Sequence, residues 1–257
     1  MILTIDVSNT LITLSAVEEG RILFTGRVSS VKTRTEDEYA LIMAQLCRRN
    51  GVDPGAAEGA ALSSVVPELT DRIRSAVTMI TGRQPMTVGP GVKTGLTIRL
   101  DDPGSLGSDF VAAAVAAMED CPLPCVTVDM DTAVGIGVVD GNGCYIGGVI
   151  APGVPASAAA LSRGASRLPN VSAEAPGRII CRNTEDSMKS GIIYGAAAML
   201  DGLLTGIEEE LGTAPTVVAT GQYAAVVIPH CRRAGIRIDE DLVTRGLWLI
   251  YQKNHKK

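Results

Sequence analysis

The sequence predicts an α/β protein of two duplicated lobes, each a mixed β-sheet flanked by helices. Three observations predict it. Short apolar, strand-like runs alternate with helical patterns along the 257 residues. A strand-turn-strand meander opens the chain and is echoed near its middle. No low-complexity linker separates the halves, so the predicted lobes are 1–110 and 111–257.

The echo joins Ile2-Leu3-Thr4-Ile5-Asp6-Val7 to Cys125-Val126-Thr127-Val128-Asp129-Met130. With Asp6 laid on Asp129, Gly20 falls on Gly143. In each copy an apolar strand ends at an Asp, a short polar turn follows, and a second β-rich run leads to a Gly-containing turn. Those second runs are Leu11 to Val17 and Val134 to Val139, and third strands follow at Arg21 to Val28 and Tyr145 to Ile150. Asn142-Gly143 is a hairpin signal, since both residues tolerate positive φ.

After the first meander, Thr35-Glu36-Asp37-Glu38 has the form of a capping box, which predicts a helix stopping near Gly51. Ala60 to Val66 reads as a buried strand ended by Pro67, and Glu68 to Thr81 as a helix ended by Gly82. Phe110 to Met118 is Ala-rich and helical, with Gly107-Ser108-Asp109 at its start. Thr184 to Leu211 carries a long helical pattern with breaks expected near Gly191 and Gly195. Thr216 to Ala219 reads as a strand running into Thr220-Gly221.

Composition bounds the function. Aromatic residues are 3%, so Val, Ile, Leu and Ala must build the core. A net charge of −5 gives no electrostatic reason to expect a nucleic-acid partner. The basic tail Lys253 to Lys257 reads as a frayed terminus. Six cysteines without C-x-x-C spacing and two histidines argue against structural zinc and for reduced thiols in the cytoplasm. No basic-then-apolar leader opens the chain, and no apolar run is expected to span a bilayer, so no membrane partner is expected.

Three strand ends are placed to carry chemistry: Asp6-Val7-Ser8-Asn9-Thr10, Asp129-Met130-Asp131-Thr132-Ala133 and Ala219-Thr220-Gly221. Small and hydroxyl residues in tight turns present N–H and O–H donors that suit phosphate oxygens. A carboxylate at a strand end can hold a cation that neutralises those phosphates. Taken alone, each turn reads as a plain β-turn before it reads as a phosphate site. There is no P-loop, because Val92 separates Gly91 from Lys93, and no dinucleotide fingerprint after the first strand.

The paired Asp turns and the late Ala-Thr-Gly turn resemble the phosphate and adenosine motifs of the actin–hexokinase–Hsp70 superfamily. Four stretches look like the type III pantothenate kinases: Ser63-Ser64-Val65-Val66-Pro67, Val88 through Leu96, Gly148 through Gly153, and Asn183-Thr184. The resemblance implies lobes of the actin-like (ribonuclease H-like) ATPase type. It implies ATP-dependent phosphorylation of pantothenate to 4′-phosphopantothenate, the first step of coenzyme A biosynthesis, by a homodimer using Mg²⁺ and a monovalent cation, K⁺ or NH₄⁺. It implies that Asp6, Val7, Ser8, Asn9, Thr10, Leu11, Ile12 and Thr13 form the first ATP loop and that Thr132 contacts ATP. Asp109 would be the general base, and Asp129 would bind the monovalent cation. Leu100, Gly107, Ser108, Asp109, Phe110 and Thr184 would meet pantothenate.

Departures from the family pattern fall within these motifs: Ser8, Leu11, Leu100, Phe110, Ala113, Asp131, Val134 and Gln222. Asp131 stands where Gly is usual, and its like charge is expected to weaken ATP binding, with Asp131→Gly improving it. A catalytically impaired relative acting as a ligand-binding or regulatory protein is the alternative. Asp109 before an Ala-rich helix also fits an N-cap, as does Thr184.

Overall fold

The computed structural model describes residues 1–164 and 168–255. The chain forms two compact units. Unit 1 is Met1–Leu96, Asp101–Ala116 and Asp241–Lys257, and unit 2 is Thr97–Leu100 and Ala117–Glu240. A single cut at residue 110 therefore differs from the observed division, because the last helix returns to unit 1. Of the basic tail, Lys253 belongs to that helix, and residues 256–257 lie outside the described residues.

Unit 1 begins with β1 (Ile2–Val7), β2 (Leu11–Glu18) and β3 (Arg21–Ser29), followed by α1 (Glu36–Arg49), β4 (Ala60–Ser64), α2 (Pro67–Thr81) and β5 (Met86–Thr87). The strand order is β3-β2-β1-β4-β5. The first three strands are antiparallel, and β4 and β5 join in parallel. Short-range chemistry fixes these bounds. Thr35 and Glu38 form the expected capping box at α1. Pro67 sits in the first turn of α2, where its missing N–H costs nothing, and Gly82 ends the helix at φ 68°.

Unit 2 takes β6 (Thr97–Ile98) at one edge, then β7 (Cys125–Met130), β8 (Ala133–Val139), β9 (Cys144–Pro152), α4 (Val154–Gly164), α5 (Thr184–Leu211), β10 (Thr216–Thr220), α6 (Ala224–Val227) and β11 (Arg237–Ile238). Helix α3 (Ser108–Asp120) starts in unit 1 and ends in unit 2, and α7 (Leu242–His255) closes the chain. The second sheet runs β11-β10-β7-β8-β9-β6. Apart from β6, it repeats the first sheet strand for strand. Asp6 pairs with Thr13 and Ser63, while Asp129 pairs with Gly135 and Thr220. Even the register shift in the outer hairpin recurs, at Ala16/Val17 and at Val138/Val139. The echo read from the sequence is thus a repeated topology with both carboxylates at the same strand position.

Alternation along β1 and β7 decides what each face does. Leu3, Ile5 and Val7 enter one core, with α1 and α2 residues such as Tyr39, Met43, Leu69 and Ile73. Val126, Val128 and Met130 enter the other, with Ile192, Ile193, Leu200 and Leu204 of α5. Asp6 and Asp129 consequently lie on the opposite faces of their strands from those cores.

The hairpin expected at Asn142-Gly143 forms, with positive φ at one of the two residues, and one helix expectation changed. Positive φ at both turn residues occurs at Glu19 (50°) and Gly20 (82°), whereas at Asn142-Gly143 only Gly143 (75°) uses it. There the Asp140 carboxylate accepts from the N–H groups of Asn142 and Cys144, both at 2.9 Å, and these bonds hold its pKa below the usual carboxylate range. Helix α5 is unbroken over 28 residues. Gly191 and Gly195 face open space, so nothing in the packing demands a kink there. By length and composition α5 is apolar enough to cross a membrane, contrary to the expectation that no run is; its buried face forms part of the unit 2 core.

Cys47, Cys125, Cys144, Cys181 and Cys231 are free thiols. Burial pushes Cys47 and Cys231 up to about 11 and Cys125 up to about 12. A thiol that holds its proton more tightly when folded adds stability that is complete below its unfolded value. That contribution is lost as pH rises through the folded value. The melting temperature should therefore fall as pH rises from about 9 toward 11. Iodoacetamide at pH 8 should label the half-buried Cys181 well before Cys47 or Cys125. Rapid labelling of Cys47 in folded protein would contradict this.

Candidate active site

In unit 1 the site is built on the ends of β1 and β4. Asp6 is the penultimate residue of β1, and Ser63 stands beside it in β4. The turn after β1 is closed by the Ser8 N–H donating to the Leu11 carbonyl at 2.9 Å. Ser30, just past β3, clamps the same turn. Its N–H donates to the Thr10 carbonyl at 2.9 Å and its hydroxyl to the Ser8 carbonyl at 2.6 Å. Asn9 and Thr10 are exposed at the tip, while Ser8, Leu11 and Thr13 are half-buried. Val7 and Ile12 point into the core, so a ligand at this turn meets their backbone only.

A serine peg joins these strand ends to α3. The Ser108 hydroxyl lies 2.9 Å from the Ser63 hydroxyl and accepts from the Ser64 N–H at 3.0 Å. Ser108 is the first residue of α3, so the peg fixes the helix start against the strand pair that carries Asp6. Asp109 follows within the first turn. Its Oδ1 accepts from the Phe110 N–H at 2.8 Å, and the Val111 N–H donates to the Gly107 carbonyl. Asp109 is therefore inside the helix rather than its N-cap, in the turn where unpaired N–H groups and the helix dipole favour a carboxylate. A Cβ at position 107 would collide with the Asp109 carboxylate where it now lies, so Gly107 leaves it room.

In unit 2 three turns meet at the end of β7. Asp129 is the penultimate residue of β7, and the Asp131 N–H closes the turn by donating to the Ala133 carbonyl at 3.0 Å. Gly153 packs on this turn: its N–H donates to the Thr132 carbonyl at 3.1 Å, and a Cβ there would overlap the carbonyl oxygens of Asp131 and Thr132. Gly221, at φ 91°, lies flat on the strand end, where a Cβ would come within 2.5 Å of Asp129 Oδ1. Asp131, expected to face phosphate as a like charge, instead accepts the Gln222 N–H on Oδ1 at 2.8 Å.

The remaining residues are placed as follows. Leu100 is half-buried just beyond β6, and Phe110 is half-buried in α3. Thr184 is the exposed first residue of α5, but Asn183 is the cap, accepting from the Asp186 N–H at 2.8 Å. Ser63, Ser64, Ser30 and Gly153 are the residues that the reading of the sequence did not assign to the site. Two adjacent serines at the end of a buried strand were the available signal, because buried hydroxyls need partners.

The fold is that of actin-like kinases and ATPases. The hexokinase of the ROK group from Thermus thermophilus superposes with a TM-score of 0.52 at 16% identity, covering 98% of each chain. Component A of the (R)-2-hydroxyglutaryl-CoA dehydratase of Acidaminococcus fermentans superposes with a TM-score of 0.57 at 15% identity, covering 99% of each chain. At the level of sequence, the type III pantothenate kinase family profile matches residues 2–206. A type III pantothenate kinase of Anaeromyxobacter sp. (strain Fw109-5) is 39% identical over 254 residues, 99% of this chain and 100% of that protein. Full-length similarity at that level, on a duplicated actin-like fold with a carboxylate at each matching strand end, makes this chain a member of the type III pantothenate kinase family.

Proposed function

We propose that this protein transfers the γ-phosphoryl group of ATP to the primary hydroxyl of pantothenate, with Asp109 as general base. The observation that carries the assignment of the base is the Ser108 peg, which fixes Asp109 beside the strand ends bearing Asp6. A primary alcohol is a poor nucleophile at neutral pH, and a positioned carboxylate can take its proton as the new O–P bond forms. The hydroxyl oxygen attacks phosphorus, the bond to the β,γ-bridging oxygen breaks, and ADP leaves with that electron pair.

The turn over Asp6–Thr13 supplies backbone N–H groups to the phosphates, and Thr132 adds a hydroxyl. Mg²⁺ accompanies ATP and neutralises developing charge on the phosphates. Asp129 suits a K⁺ or NH₄⁺ ion. The other ligands of such an ion would be carbonyls, water and phosphate. Leu100, Gly107, Ser108, Phe110 and Thr184 are assigned to the acceptor. A cytoplasmic homodimer is part of this reading. Ile150, Ile179 and Ile180 of unit 2 are 76%, 67% and 83% exposed in the single chain, an amount of apolar surface that a second copy would cover.

Steady-state ADP release with a panel of acceptors tests the proposal. Release should require pantothenate, should not be supported by glucose, and should fall when K⁺ is replaced by Na⁺. Glucose-dependent release would assign the site to sugars instead.

A further inference from the structure

We infer that Asp131 is a positioning residue: its carboxylate ties the Thr220–Gln222 turn to the Asp129–Ala133 turn and so presets the nucleotide end of unit 2. This rests on the ATP reading above only for what the preset turn receives.

Three observations converge on it. The Gln222 N–H donates to Asp131 Oδ1 at 2.8 Å, a charge-assisted bond between residues 91 apart in sequence. Next along the chain, the Tyr223 N–H donates to the Met130 carbonyl at 3.0 Å. Between β10 and these two bonds lies Gly221, pressed so closely on Met130 that a Cβ would sit 2.7 Å from its backbone N and C atoms. The Gly221 approach alone is short but not directional. The two N–H bonds give it direction, and only one of them uses a side chain.

A glycine at position 131 would leave the Gln222 N–H without that acceptor. The carboxylate replaces the adaptable contact that solvent or ligand would otherwise supply, so the turn is ordered before nucleotide arrives. Asn at 131 keeps an oxygen acceptor in the same place, whereas Ala and Gly do not. The expected effect of Asp131→Gly is therefore opposite in sign to the one read from charge alone.

Two measurements test it. The first is residue-resolved hydrogen exchange on the nucleotide-free protein. The Gln222 amide should exchange about tenfold or more faster in Asp131→Ala than in the parent, with Asp131→Asn close to the parent and the β7 amides unchanged. The second is the dependence of phosphorylation on ATP. Asp131→Ala and Asp131→Gly should raise the KM for ATP by about tenfold with kcat little changed, and Asp131→Asn should restore most of the loss. Equal Gln222 exchange in parent and Asp131→Ala would overturn the tie, whatever the protein phosphorylates. Faster Gln222 exchange together with an unchanged or lower KM for ATP in Asp131→Gly would overturn its role toward nucleotide.

Discussion

Asp109→Asn should lower turnover roughly 10²–10⁴-fold while leaving the melting temperature within a degree or two of the parent. The substitution keeps shape and one oxygen, so Oδ1 can still accept from the Phe110 N–H. The Ser108 peg does not involve the Asp109 side chain, so α3 stays seated on Ser63 and Ser64. On the proposed role, what is lost is the ability to take the proton of the acceptor hydroxyl. The loss should appear in kcat and in kcat/KM together, because the interaction belongs to the transition state. A large fall in stability with little change in kcat would reassign Asp109 to supporting the first turn of α3.

The second large effect is on folding. Gly246→Ala should destabilise unit 1 by about 3 kcal/mol or more, measured by urea unfolding. A Cβ at position 246 would overlap the Ala112 carbonyl oxygen and sit 2.5 Å from its carbonyl carbon. Both atoms are helix backbone, so neither can swing aside as a side-chain tip would. Helices α3 and α7 cross there in backbone contact, and Ala112 lies one turn after Asp109. Helix α7 has little freedom to move, since it packs on β1 and β4, and Thr244 lies 3.3 Å from the buried Ser15 hydroxyl. Its Trp248 ring covers Gly20, and its Asn254 brackets Lys93, accepting from the backbone N–H at 3.0 Å and donating to the carbonyl at 2.9 Å. An unaltered unfolding midpoint would show that the crossing can open at little cost.

Much of this architecture is legible in the sequence because local rules write it. The Thr35–Glu38 capping box, Pro67 at a helix start, Gly82 at a helix end and the Asp6/Asp129 echo depend on neighbours a few residues away. The parts that were not legible depend on distant partners. Nothing within α7 says that it returns to unit 1, because its partners Gly20, Gly59 and Lys93 lie far along the chain. The two-residue strands β5 and β6 are too short to show a period. Gly191 and Gly195 looked like breaks in α5, yet a helix continues through Gly when its other face is buried.

The same division holds at the site. Strand-end carboxylates and Ser-Thr-rich turns show as residue types in order, so Asp6, Asp129 and Thr132 stand out as candidates. Their orientation could not. That Asp109 stands inside the first turn follows from the Ser108 bonds to β4, and that Asp131 turns to Gln222 follows from a contact across 91 residues. A charge read without its partner leaves out the bond that Asp131 accepts from the Gln222 N–H. The partner is a backbone N–H, which no residue name discloses.

The most direct measurement is to identify the product. Purified protein is incubated with ATP, Mg²⁺, K⁺ and pantothenate, and the mixture is followed by ³¹P NMR and mass spectrometry. The expected product is a new phosphomonoester whose phosphorus couples to the two protons of the primary carbinol, with the mass of 4′-phosphopantothenate and one ADP formed per product. Unchanged pantothenate under conditions where ATP binds would contradict it, and would make the chain a binding protein on a kinase fold.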